Sequence, residues 1–374
     1  MAEDYVRLKA GAITVGKPLL FNVFDAQGKL LLQQGYVISS KDQLDKLYAR
    51  GLFHASHAQA INKKIEQTVV EEKKLNPFHE LPVLLEELEV LLGCVSSQNA
   101  DSDKRLKILT RKLMRLGMDD PDACLAMVHL NAIEPSAYEQ TLYHSLLAFL
   151  IGQYLQWPLE RVNALVMASL TANFALLPYQ DKLNRSRNTL TEVQRAVLRK
   201  HPDLSAQALQ KAGIQEAQVL LNIQQHHEHP TGSGYPNGLK GADICLDAQV
   251  LGMTERYTAM ISQRAYRPRM TVNQAQKELS HHASDTQLFL ALYAQLTPFP
   301  PGTFVELANG ETAVVTYRTR HPTGPKVRAI ISARGSMYHG SFLRETSEPE
   351  FAIKGFRQLA MQPSINPLIL WESL

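Results

Sequence analysis

The chain has 374 residues, a formal net charge of +3 and 45% hydrophobic residues, with 20% charged. Such a chain is long enough for two to four domains with sizeable cores, and too apolar for long disordered tails. Its small net charge gives no electrostatic case for a nucleic-acid polymer as partner. Cys94, Cys124 and Cys245 stand apart in no CxxC spacing. They read as reduced thiols, not as a disulfide frame or a zinc ribbon. The first residues lack a basic-then-apolar signal pattern, and no apolar run approaches the ~20 residues of a membrane span. The expectation is a cytoplasmic protein with no membrane span.

Residues 1–65 predict a small α+β module. Short apolar runs alternate with turns, and the Asp25-Ala26-Gln27-Gly28 turn reads as a hairpin. Ser39-Ser40-Lys41-Asp42 then caps a short helix carrying Leu44, Leu47 and Tyr48, ended by Gly51. His54 and His57 are three apart and could share a helix face. Residues 66–130 predict a linker followed by a helical stalk. Asn62 to Leu75 is charged and aperiodic. Leu84, Leu85, Leu88 and Leu91 then form one stripe, and Leu106, Leu109, Leu113 and Leu116 another. The two helices either make an interdomain or dimer-forming stalk or cover the core that follows.

Residues 131–297 predict a continuous helical domain. Tyr138 to Tyr154 carries His144, and Glu160 to Leu177 is apolar enough for a central buried helix. Thr191 to Gln194 has capping-box spacing and opens a helix expected to end at Lys200-His201-Pro202. Gln218 to Glu228, Asp247 to Ile261 and Val272 to about His282 are further helices. Residues 298–374 predict a β-rich unit, with strands near Phe304–Leu307, Ala313–Tyr317 and Val327–Ile331. Asn309-Gly310 is its hairpin turn.

One run organises this plan. From His226-His227-Glu228 to Ile244 the chain holds four glycines and two prolines, so it is neither helix nor central strand. It is a shaped loop that follows two imidazoles at a helix end. Gly234-Tyr235-Pro236, Gly238-Leu239-Lys240-Gly241 and the preceding histidine pair resemble the signature of the HD-GYP family. The resemblance implies an HD-type helical bundle, and active members hydrolyse cyclic di-GMP at a site of two or three metals. The small β-rich tail and the N-terminal module also resemble companions of such domains.

The resemblance places metal ligands at His144, His201, His226, His227 and Glu255. The His-Asp pair that names the family, with its Ile-Gly-Lys, falls on Thr171-Ala172-Asn173-Phe174-Ala175, so its imidazole, bridging carboxylate and lysine are absent. The acidic residue of trimetal members falls on Gln140. Without a bridging anion, two dications ~4 Å apart repel by roughly 17 kcal/mol at an effective dielectric of ~20. What remains holds either one ion, iron or manganese, or none, the histidines then being hydrogen-bonded in a polar pocket. Gly234, Tyr235, Pro236, Lys240, Arg264 and Arg267 are the candidates for ligand binding or docking. Tyr235 either stacks on a purine or anchors the loop, and the two arginines either meet phosphates or lie solvated at a helix end.

The function expected is that of a catalytically degenerate HD-GYP protein in cyclic-di-GMP signalling, a nucleotide sensor or a protein-docking module. GGDEF-domain proteins are the partners implied by resemblance, and a homodimer is a further option. The alternative is a metal-dependent cyclic-di-GMP phosphodiesterase with a reduced His/Glu site.

Overall fold

The computed structural model describes residues 75–132, 134–282, 286–320, 324–359, 363 and 365–371. Of the first seventy-four it describes 5–7, 13, 15–17, 19, 22–25, 27, 29–33, 35–50 and 52–54. By its contacts the chain divides into two compact units, residues 1–74 and 75–374. The first holds an antiparallel sheet of order β1-β4-β2-β3 and one helix. Its strands are β1 (Tyr5–Arg7), β2 (Val23–Phe24), β3 (Leu30–Leu32) and β4 (Leu52–His54), and α1 is Lys41–Arg50. The hairpin forms where Asp25 Oδ1 accepts from the amides of Gln27 at 2.9 Å and Lys29 at 2.8 Å. Ile13, Leu19, Val23, Ile38 and Leu47 make its core. His54 closes β4 opposite Tyr5, so it lies on a strand and not on a helix face it could have shared with His57. His57 and the linker, up to residue 74, lie outside the described residues.

In the second unit α2 (Pro77–Ser96) and α3 (Ser102–Asp119) lead into α4 (Pro121–Leu130). Asn76 accepts from the Phe78 amide to start α2, with proline in the first turn. The leucine stripes of α2 and α3 sit in one core with the later helices, so these helices are a layer of the bundle, not a free stalk. That core surrounds α5 (Ala137–Tyr154) and α6 (Leu159–Thr171). Residues 141–152 are buried all round, which makes α5 the central helix.

The central helix expected over 160–177 ends at Thr171 instead. Pro178 has no N–H to offer the Phe174 carbonyl, so the chain turns and α7 (Leu177–Arg185) restarts with that proline in its first turn. The Asn173 carbonyl closes the turn by accepting from Leu176 and Leu177.

Proline 202 has the opposite outcome. α8 (Glu192–Lys211), opened by the Thr191–Gln194 capping box, passes straight through it. It does not stop at His201. The carbonyl that Pro202 cannot serve, Leu198 O, accepts instead from His201 Nδ1 at 2.6 Å. Residues 192–197 of α8 are exposed all round, while His201 and Pro202 are buried. Then come α9 (Ala217–Gln225), the glycine-rich loop, α10 (Leu246–Ile261), α11 (Val272–His282) and α12 (Thr286–Leu296). Among the described residues no helix is long and apolar enough to cross a membrane.

The C-terminal sheet is antiparallel, of order β8-β7-β6-β5-β9. Its strands are β5 (Phe304–Leu307), β6 (Thr312–Tyr317), β7 (Lys326–Ile331), β8 (Met337–Glu345) and β9 (Ile353–Phe356). Val314, Ile330 and Trp371 of the short helix α13 (Pro367–Trp371) pack on Ala123, Ala126 and Leu130 of α4. A buried histidine ties sheet and bundle together. His129 Nδ1 donates to the carbonyls of Leu125 at 2.7 Å and Pro301 at 2.9 Å, and Nε2 accepts from the Tyr257 hydroxyl at 2.8 Å. Burial holds its pKa down at about 4, so the ring is the neutral acceptor that this network needs. Tyr257→Phe leaves Nε2 buried and unpaired. It should cost about 1–3 kcal/mol in urea unfolding, and an unchanged midpoint would show the node to be dispensable.

Candidate metal centre

Three imidazoles meet at the inner end of α9. His201 comes from α8, and His226 and His227 from the residues just past α9. One ring nitrogen from each lies within 4.8 Å of the others. Each approach is fixed by backbone. His226 is the C-cap, and its Nδ1 donates to the Ile223 carbonyl, one of the last-turn acceptors, at 2.5 Å. His201 Nδ1 donates to Leu198 as described. Both Nε2 atoms are therefore lone-pair acceptors, yet they stand 3.3 Å apart. Two facing lone pairs cannot bond each other, and they need a shared cation or proton.

A carboxylate completes the group. Glu255 Oε2 lies 3.6 Å from His226 Nε2 and 3.8 Å from His227 Nε2. It is buried without a hydrogen-bond partner among the described residues. Glu255 reaches this place because α10 comes close to the end of α9 at Gly252. A Cβ there would meet the His226 carbonyl oxygen at 2.1 Å. Glu255 Oε1 accepts from Asn173 Nδ2 at 2.9 Å, in the turn after α6.

The electrostatics suit cation ligands. Burial lowers the pKa of His144, His226 and His227, and with the neighbouring His226 it lowers His201 to about 4. Burial alone would raise Glu255, but the converging imidazoles hold its carboxyl at about 2. Neutral rings and an ionised carboxylate are what a first-row divalent ion takes. Metal–nitrogen bonds of about 2.1 Å in a tetrahedron put ligand atoms roughly 3.4 Å apart, close to the 3.3, 3.6 and 3.8 Å contacts of His226 and Glu255 and inside the 4.8 Å limit of the triad. The residues thus fit one ion. His144 stands apart from the triad, its Nε2 lying 2.9 Å from the Ser169 carbonyl oxygen. At the place of the family's His-Asp pair, Thr171 turns its hydroxyl back to Met167 and Ala172 is a fully buried methyl.

The loop is built on a residue that the sequence reading passed over. Glu228 is buried, and its carboxylate accepts from the amides of Asn237 at 2.6 Å, Gly238 at 3.1 Å and Leu239 at 2.9 Å. Gly234 lies so close under this turn that a Cβ would meet the His229 nitrogen at 2.3 Å. Tyr235, joined to Pro236 by a cis peptide bond, stacks on His227 with ring centroids 4.7 Å apart and planes 27° apart. That face of Tyr235 is thus used within the protein. Lys240 is exposed, its stem lying over Gly232.

The two arginines are placed differently from each other. Arg267 donates to the Ala259 and Met260 carbonyls and so closes the end of α10. Arg264 is buried, donates to Gln140 Oε1 at 2.8 Å and lines a polar cleft of about 610 Å³ with Glu139, Asp181, Arg185 and Arg187. An acid immediately before a glycine-rich turn was the available signal for Glu228, and a histidine immediately before proline was the signal for the Leu198 bond.

Residues 124–288 match the family model for the HD domain. A cyclic di-GMP phosphodiesterase of Pseudomonas aeruginosa is 26% identical over 220 residues, 58% of this chain and 53% of that protein. The cyclic di-GMP phosphodiesterase response regulator RpfG of Xanthomonas campestris is 29% identical over 141 residues, 37% of each chain. A 3'3'-cGAMP-specific phosphodiesterase of Vibrio cholerae is 27% identical over 173 residues, 44% of this chain and 40% of that one. The chain thus spans about half or less of the length of these relatives. The helical bundle is an HD domain. With Gly234-Tyr235-Pro236 following its paired histidines, that domain resembles the HD-GYP type.

Two outcomes follow from this geometry. Glu228→Ala should leave the bundle folded and speed hydrogen exchange at the Asn237, Gly238 and Leu239 amides at least tenfold; unchanged protection would remove Glu228 as the anchor. The second concerns acid. A histidine whose folded pKa is depressed stabilises the fold above its unfolded value of about 6.5, and that stability is lost as pH falls toward 4. For metal-free protein His201 should account for about 2 kcal/mol of the loss between pH 7 and pH 5. His201→Gln should flatten the pH dependence of unfolding by that amount, and identical slopes would refute it.

Proposed function

We propose that this chain is a catalytically degenerate HD-GYP protein of cyclic-dinucleotide signalling. It holds one divalent metal ion and acts as a nucleotide sensor or a protein-docking module. The observation that carries this reading is the pairing of a shaped loop with an incomplete charge set. The Glu228-anchored loop and the imidazole triad are in place, while Ala172 stands where the bridging carboxylate belongs. His201, His226, His227 and Glu255 would hold one ion, which would supply polarisation of a bound group and a lowered pKa of bound water. The cradle for a second ion lacks its anion, and the repulsion between two dications then goes unopposed.

The chain's own residues supply recognition. The cleft beside Arg264 is of a size for a dinucleotide, and its arginines suit phosphates. Cyclic di-GMP is the first ligand to test and 3'3'-cGAMP the second, since relatives act on each. For docking, the exposed side of the loop, with Lys240, is the surface offered, and GGDEF-domain proteins are the partners suggested by the family resemblance.

A second reading has one specific observation in its favour. Facing lone pairs at 3.3 Å beside an unpartnered carboxylate oxygen suit a working mononuclear hydrolase as well as a sensor. Protein purified without oxygen should contain about one equivalent of metal, bind one of the two cyclic dinucleotides in calorimetry, and leave it uncleaved. Turnover with one ion bound would establish the hydrolase instead, and absence of nucleotide binding would leave docking.

A further inference from the structure

Asn173 lies two residues past the end of α6, beside the buried Ala172. Its amide nitrogen carries two N–H bonds and no lone pair for a metal, and it donates to Glu255 Oε1 at 2.9 Å. Glu255 can only accept here, so the amide orientation is set by its partner: turned over, Asn173 would press its oxygen against an ionised carboxylate. The two oxygens of Glu255 thereby differ. Oε1 is held by the amide, and Oε2 faces the imidazoles with no hydrogen-bond partner.

We infer that Asn173 is a positioning residue of the one-cation centre, aiming one oxygen of Glu255 at the imidazoles and keeping a cation off the other. The inference rests on the one-ion reading above. A carboxylate bridges two metals by giving one oxygen to each. An ion on Oε1 would sit about 2.1 Å from it, inside the space that the amide nitrogen occupies. Asn173 thus does two things at once: it aims Oε2 at His226 and His227, and it closes the other side of the carboxylate. The methyl of Ala172 adds no charge to offset a second dication.

The test is a calorimetric titration of metal-free, full-length protein with Mn²⁺ alone and with Zn²⁺ alone. Elemental analysis after gel filtration gives the stoichiometry, and circular dichroism checks the fold. The wild type takes one equivalent. Asn173→Ala still takes one, with affinity about 10- to 100-fold weaker because Glu255 is no longer aimed. Asn173→Asp takes two, because an anion replaces the donor beside Glu255; a merely structural role for residue 173 would not add an ion. Unchanged affinity in Asn173→Ala, or a single equivalent in Asn173→Asp, overturns the inference and leaves the one-ion reading standing. A wild type that takes up neither metal overturns that reading, and the inference with it.

Discussion

Two imidazoles that each keep their proton on Nδ1, bonded to a carbonyl, and so hold their bare Nε2 atoms face to face, set the terms for this protein. Their positions are not chosen by side-chain packing alone. The Leu198 carbonyl is free because Pro202 follows His201, and the Ile223 carbonyl is free because α9 ends there. Orphan carbonyls at a proline and at a helix end thus fix the tautomers, and the tautomers create the demand for positive charge. A buried acceptor pair left unmet costs of the order of 1–3 kcal/mol for each group. Without a shared cation or proton the fold would carry that cost in the middle of its domain.

In the same region, loop and charge set rest on different kinds of contact. The shape of the loop depends on local interactions: three amides on Glu228, a glycine without room for a methyl, a tyrosine flat on a histidine. None of these requires a metal. The charge set depends on residues brought from separate helices, and beside it Thr171 ends α6 with its hydroxyl bonded back to Met167 while Ala172 is a buried methyl in the turn that follows. Loop and charge set can therefore vary independently of each other.

Much of the plan was readable before any coordinates. The strands after Thr297, the Asn309-Gly310 turn and the capping box at Thr191 follow from local chemistry, and the structure has each of them. Prolines were the ambiguous signs. Pro178 ends one helical pattern and Pro202 lies inside another, because only at 202 does a neighbouring histidine satisfy the abandoned carbonyl. The leucine stripes of α2 and α3 gave their periodicity but not their partner, since a stripe looks the same whether it covers its own core or meets another chain. Asn173 was invisible for a different reason. Its meaning lies in a contact with a residue 82 positions away, and nothing local marks an asparagine in a turn as the partner of a distant glutamate.

The first turns of α8 stand in water on every side, and the helix becomes buried only where His201 reaches the centre. Substitutions over residues 192–197 therefore fall on solvated helix and leave the buried stretch that carries His201 untouched.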